Sequence, residues 1–157
     1  MRDSGLYADK RVGIYAGTFN PFTIGHADIV ERALKVVDTL VILLGENYRK
    51  RPDSQVQERA SKIEQLYVDN PRVKVVVYSG LVAEYAGRYE HPVLIRGVRS
   101  LGDLEYERTM ADTHLEHFGL ETLFLLSRPS LSYVSSSLVR ELEEFGADTS
   151  RYLPSPK

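Results

Sequence analysis

Val12-Gly13-Ile14-Tyr15-Ala16-Gly17-Thr18-Phe19-Asn20-Pro21-Phe22-Thr23-Ile24-Gly25-His26 is the stretch whose reading decides the fold. An apolar, β-branched run ends at Gly17, a turn-rich loop follows, and the chain enters a helical pattern at Thr23-Ile24-Gly25-His26. Beyond it Ile29, Val30, Ala33, Leu34 and Val37 recur at three- and four-residue spacing, the buried stripe of an amphipathic helix. Strand, tight loop, helix is therefore the local reading. This unit sets unpaired backbone N–H groups and the positive end of a helix dipole beside the strand's C-terminal end. Gly17 has no Cβ, so a phosphate is expected to approach its backbone; Pro21 stiffens the loop. Thr23 is placed to cap the helix and His26 to project a ring nitrogen from its first turn. The stretch reads as a nucleotide-phosphate cradle.

Neither G-x-x-x-x-G-K-[ST] nor G-x-G-x-x-G occurs here, which removes the main support for the P-loop and dinucleotide readings. Working outward, Thr39 to Leu44 is continuously apolar, as buried parallel strands are. A helix is expected with Val56, Ala60, Ile63, Leu66 and Tyr67 on one face, broken by Asn70-Pro71. Further strands are expected over Val73 to Tyr78, Pro92 to Ile95 and Glu121 to Leu126. Helices are expected over Leu81 to Tyr89, through Glu105 to His117, and over Ser135 to Glu144. This alternation predicts an α/β fold: a doubly wound, Rossmann-like, five-stranded parallel sheet with flanking helices, in one domain over residues 1–157. Residues 1–10 are expected to be a flexible extension. Ligands of such sheets bind outside the carboxyl ends of the strands where strand order reverses. The loops holding Gly17, Lys50, Arg96 and Ser135 are thereby expected on one edge.

The 157 residues carry a net charge of −2, so no global field favours nucleic acid or an anionic membrane, and phosphate binding must rest on local cations. Zero cysteines rule out disulfides, thiolate metal sites and thiol nucleophiles, and suit a cytoplasmic protein. The charged N-terminus has no signal-peptide core and no apolar run reaches membrane-spanning length.

Arg96-Gly97-Val98-Arg99 sets two guanidiniums at a strand's end, separated by a glycine expected to let the chain turn. Guanidinium forks match phosphate oxygens bidentately. Asp103, Glu105 and Glu107 offer the alternative of structural ion pairs. Lys50 lies in the basic triplet 49–51, a pattern usual for solvated loop charge, but its place after the second strand faces it toward the cradle. Ser135-Ser136-Ser137 reads as a helix start, an ordinary cap and an anion site at once. His114 and His117 are three apart on a helix with no third ligand evident, and no metal site is expected.

The cradle resembles the G-[TS]-F-[DN]-P…[TH]-x-G-H signature of the nucleotidyltransferase superfamily of α/β phosphodiesterases. With Gly80-Leu81-Val82, Leu94-Ile95-Arg96-Gly97-Val98-Arg99…Asp103-Leu104-Glu105-Tyr106-Glu107 and Val134-Ser135-Ser136-Ser137…Arg140, the chain is similar to the bacterial phosphopantetheine adenylyltransferase family from residue 12 to about 154. The resemblance implies reversible transfer of AMP from ATP to 4′-phosphopantetheine with Mg²⁺, giving dephospho-coenzyme A and pyrophosphate in coenzyme A biosynthesis. It implies Thr18 and His26 at the α-phosphate, Gly17 in the cradle, and Lys50 on the incoming phosphate. Arg96 falls on the phosphopantetheine side and Arg99 and Glu107 on the ATP side. Ser135, Ser136 and Ser137 fall at the β- and γ-phosphates, with Leu81 and Val82 along the pantetheine arm. A cytoplasmic homohexamer with coenzyme A as a feedback ligand is implied as well. Asn20 stands where the family commonly has Asp and Ala16 where it commonly has Pro, and the chain ends soon after Pro154 where many relatives continue into a further helix. Two other readings are carried: a sister transferase using nicotinate mononucleotide or glycerol 3-phosphate, and a non-catalytic nucleotide-binding module.

Overall fold

The computed structural model describes residues 10–46 and 55–156. Strand β1 (Val12–Gly17) is the centre of a five-stranded sheet, and the remaining strands are β2 (Thr39–Gly45), β3 (Val73–Tyr78), β4 (Pro92–Val98) and β5 (Thr122–Leu126). Their order is β3-β2-β1-β4-β5 and every pairing is parallel. The chain winds outward from β1 in one direction, then returns past it and winds outward in the other. The order thus reverses between β1 and β4, the position at which such sheets open a ligand crevice.

Period-two alternation within each strand feeds two separate cores. Tyr15, Leu40, Ile42, Leu44, Val93 and Ile95 pack with Ile29, Val30 and Ala33 of α1 (Ile24–Ala33) and Val56, Ala60 and Ile63 of α2 (Val56–Leu66). On the opposite face Val12, Ile14, Val41, Leu43 and Leu94 meet Ala83, Tyr85 and Ala86 of the short α3 (Val82–Ala86). Each fully buried Val, Leu or Ile among them stabilises the fold by about 1.5–3 kcal/mol. The chain continues through α4 (Leu101–Phe118) and α5 (Ser136–Glu144), with single 3₁₀ turns at Pro129–Leu131 and Ser150–Tyr152.

The helix ends are tied by side chains. At the C-terminal end of α1, Arg72 donates from Nη2 to the carbonyls of Leu34 (2.5 Å) and Val37 (2.7 Å) and from Nε to Asp38 (2.8 Å). Ser100 caps α4, which closes on Gly119 at φ 65°, the left-handed conformation a glycine adopts without strain.

The structure differs from the sequence reading at the exit of β4. Arg96 and Gly97 lie within the strand, which runs on to Val98 in register with Phe124, Leu125 and Leu126 of β5. Gly97 makes no turn. Its missing Cβ is space that Ile29 uses, since a Cβ there would stand 3.2 Å from Ile29 Cγ1. A second feature bears directly on function. β1 pairs with β2 along its whole length but with β4 only from Val12↔Pro92 to Ile14↔Leu94, so the two central strands part before either ends.

Candidate active site

The gap between the parting strands is filled by Arg96. Its Nη1 donates to the Ala16 carbonyl across the gap, while Nε and Nη2 donate to the two carboxylate oxygens of Glu107 on α4, each at 2.8 Å. This is the bidentate fork of an arginine–carboxylate pair. Burial opposes the Arg96 charge, and the hydrogen bond and charge of Glu107 outweigh it, so the guanidinium is held more firmly protonated than usual. The ion-pair reading of the acidic residues is thus realised, with Glu107 on Arg96 and Asp103 on Arg99 (3.4 Å). Arg99 is the more open of the two arginines, with 43% of its side chain exposed.

Arg96 and Glu107 stand where two clefts meet. On one side is a polar cleft of ≈ 290 Å³ that includes Gly17, Thr18, His26, Arg96, Arg99 and Ser136. It shares Tyr15, His26, Gly97, Arg99 and Ser136 with a neighbouring cleft of ≈ 240 Å³ that reaches Thr23, Gly25, Ser135 and Ser137. Two helix N-termini, those of α1 and α5, therefore open onto one continuous polar channel, a ready-made anion site. On the other side lies a mainly apolar cleft of ≈ 330 Å³ that includes Leu81, Val82, Leu94, Met110, His114 and Phe118.

His26 is locked at the third position of α1 by a reciprocal capping box. Thr23 Oγ1 accepts from the His26 backbone N–H (3.4 Å) and His26 Nδ1 accepts from the Thr23 backbone N–H (2.9 Å). The ring plays the part usually taken by Glu or Gln in such a box. Because Nδ1 is spent as an acceptor, the neutral ring carries its proton on Nε2 and offers that N–H as its donor. Burial first, then the Arg99 and Arg96 charges, lower the His26 pKa to about 4. At neutral pH the ring is therefore a neutral hydrogen-bond donor. Phe22 stacks on the ring at 5.4 Å and Phe19 meets it edge-on at 5.1 Å, fixing its plane.

The cradle loop itself departs from expectation at Gly17. The space above its Cα is occupied by the Phe19 ring, which an added Cβ would meet at 3.1 Å. Phe19 holds φ 51°, unusual for a bulky residue, and is 4% exposed. Among the serines, Ser135 Oγ accepts from the Leu138 N–H, Ser136 Oγ donates to the Pro21 carbonyl at 2.8 Å, and Ser137 Oγ accepts from Arg140, so only Ser136 spends its hydroxyl proton in these bonds. What α5 presents to an anion is therefore its first two backbone N–H groups together with the Ser135 and Ser137 hydroxyl protons. Ser136, together with Arg140 bonded to the Asn20 carbonyl, pins α5 to the cradle loop.

Of the residues singled out in the sequence, the structure gathers Gly17, Thr18, His26, Arg96, Arg99, Glu107, Ser135, Ser136 and Ser137 at one edge of the sheet, with Leu81 and Val82 across the Arg96 partition. Lys50 lies outside the described residues. Sequence reasoning missed Tyr15, on the wall of both polar clefts. Burial raises its phenol well above the ordinary range, so it remains an O–H. It also missed Arg59 of α2, which donates to the Thr18 carbonyl at 3.3 Å. Tyr15 was legible as the one aromatic in an otherwise aliphatic strand; Arg59 carried no signal beyond its charge.

Comparison with known proteins agrees with this geometry. The cytidylyltransferase-like family model matches residues 14–142. A phosphopantetheine adenylyltransferase of Bacteroides thetaiotaomicron is 42% identical over 144 residues, covering 92% of this chain and 95% of that protein. One from Thermotoga neapolitana is 41% identical over 143 residues, covering 90% and 89%. Among solved structures, a bifunctional NMN adenylyltransferase/ADP ribose pyrophosphatase from Francisella tularensis superposes with a TM-score of 0.67 at 15% identity, over 94% of this chain and 46% of that one, a likeness of fold. A parted parallel sheet, two helix N-termini on one polar channel and 42% identity over nearly the whole length lead to one conclusion: the chain belongs to the phosphopantetheine adenylyltransferase family of cytidylyltransferase-like nucleotidyltransferases.

Proposed function

We propose that this enzyme transfers AMP from ATP to the phosphate of 4′-phosphopantetheine, giving dephospho-coenzyme A and pyrophosphate, reversibly. The observation that carries the reading is the meeting of the polar channel and the apolar cleft at Arg96, which offers one substrate a row of anion donors and the other an apolar trough ending on a cation. A phosphate oxygen of the acceptor attacks the α-phosphorus, that new P–O bond forms, and the α–β bridging P–O bond breaks as pyrophosphate leaves. The nucleophile is already anionic, so no general base is needed. Alignment and charge stabilisation supply the catalysis.

In this assignment His26 Nε2–H and the first-turn N–H groups of α1 act on the α-phosphate, joined by Thr18. Arg99 and the N-terminus of α5, with Ser135 to Ser137, hold the outer phosphates. Arg96 receives the acceptor phosphate, with Lys50 assigned to it from the sequence. Leu81 and Val82 flank the arm, and Glu107 serves by fixing Arg96. Both carboxylates of the polar cleft, Asp103 and Glu107, are engaged by arginines, and no group of three metal-ligating side chains occurs among the described residues. These residues fit a Mg²⁺ carried on the nucleotide phosphates, where it offsets their charge, better than one held in a protein cage. We further assign the enzyme to the cytoplasm as a homohexamer. Support for assembly is that α4 buries no residue within a single chain and leaves Leu101 81%, Leu115 40% and Phe118 45% exposed. Coenzyme A, which presents both an adenylate and a pantetheine arm, fits the two clefts as a feedback ligand.

The test is pyrophosphate release from ATP and Mg²⁺ with and without 4′-phosphopantetheine, beside His26→Ala. Release that requires the acceptor and falls on the order of 100-fold or more in the variant, the cost of a lost transition-state donor, supports the assignment. Release only with nicotinate mononucleotide or glycerol 3-phosphate overturns the acceptor. ATP binding with no release from any acceptor leaves a binding module.

A further inference from the structure

Asp28 lies on α1 two residues beyond His26 and lines neither polar cleft. Its side chain is 11% exposed, and its two oxygens take one arginine each: Oδ2 accepts from Arg32 Nη1 at 3.2 Å and Oδ1 from Arg128 Nε at 2.7 Å. Arg32 Nη1 also donates to the Leu126 carbonyl, the last residue of β5, at 2.6 Å. Arg128 opens the segment that contributes Leu131, Val134 and Ser135 to the polar channel and delivers the chain to α5. Residues 100 positions apart are thus joined through one nearly buried carboxylate, the Arg128 end of the pair being 55% exposed. The segment's other tie at its entrance is the Ser127 N–H on the Val98 carbonyl (2.9 Å).

We propose that Asp28 is a positioning residue for the nucleotide: it clamps segment 127–135 to α1 and so, with the Ser136 and Arg140 ties to the cradle loop, sets the separation between the His26 donor and the N-terminus of α5. α1 carries both His26 and the clamp, so the two anion-binding ends are held in one frame by a group that touches no ligand. The inference rests on the channel's being the ATP site. It predicts that losing the clamp weakens ATP binding selectively, because a phosphate chain bridging two helix ends is sensitive to their spacing while the acceptor's cleft lies across Arg96.

The experiment is the dissociation constant for MgATP, by titration calorimetry, in the wild type, Asp28→Asn, Arg128→Ala and the double variant, with melting temperatures for each. Arg72→Ala, which removes the α1 C-terminal tie far from the channel, is the stability control. Expected is a loss of ATP affinity of roughly tenfold in each single variant, below the 100-fold that a 1 Å misplacement can cost. The double variant should be no worse than the singles, since both break one link. The KM for 4′-phosphopantetheine should stay put, and Arg72→Ala should melt earlier with ATP affinity intact. Variants that melt earlier but bind ATP as the wild type does would reduce Asp28 to a structural tie and overturn the proposal. So would an equal rise in both substrates' KM. A wild type that binds no ATP overturns the proposed function instead.

Discussion

His26 and Arg96 show how a single side chain acquires its role from neighbours. An isolated imidazole is half-protonated near 6.5; here burial and the two arginines bring it to about 4. Protonation then favours the unfolded chain between those values, so stability from this group is complete above pH 6.5 and is lost as pH falls toward 4. The acid limb of a thermal-melting profile should therefore shrink over that interval in His26→Gln, and a variant with an unchanged limb would contradict the neutral ring. By the same sign, kcat/KM for ATP in the wild type should show no loss near 6.5 assignable to this ring. Arg96 makes a different case, because its three nitrogens tie two partners at once, the Glu107 carboxylate and the Ala16 carbonyl. Arg96→Met strands Glu107, whose side chain is 12% exposed, and should destabilise by about 2–4 kcal/mol in denaturant unfolding. Adding Glu107→Met should return part of that stability without returning adenylyl transfer.

At the scale of elements, close approach governs. Gly13 sits on β1 between β2 and β4, and a Cβ there would lie 2.9 Å from Leu40 Cδ1 and 3.1 Å from both Ile95 Cγ1 and Val37 Cγ2. Gly13→Ala should cost about 1–3 kcal/mol through overpacking, measured as a lowered denaturant midpoint at constant slope. Strand and helix types were readable throughout because continuous apolar runs and a 3.6-residue stripe leave little choice. The exit of β4 was misread for a physical reason. Arg-Gly looks like a turn in sequence, yet the arginine satisfies a backbone carbonyl across the parted strands and the glycine admits Ile29, both contacts with distant residues.

For the whole molecule, the apolar residues of α4 are the largest unmet demand. None of that helix's 18 residues is fully buried within one chain, which is the observation behind the proposed assembly. Light scattering should give a mass near six chains at micromolar concentration, and Leu115→Glu should shift it downward; a monomer in the wild type would sink the hexamer. Among the described residues no helix is long and apolar enough to cross a membrane.

The alternation of strands and helices, the strand–loop–helix unit from Val12 to His26 and the family were legible in the sequence, because these follow from local periodicity and from residue types at fixed spacing. Tertiary structure set the surroundings of each group: that β1 and β4 part after Ile14 and Leu94, that Phe19 fills the space over Gly17, that the Ser136 hydroxyl is spent on the Pro21 carbonyl, and that His26 is neutral. Partners and protonation depend on burial and on charges brought close from far along the chain, and neither is written in any window of sequence.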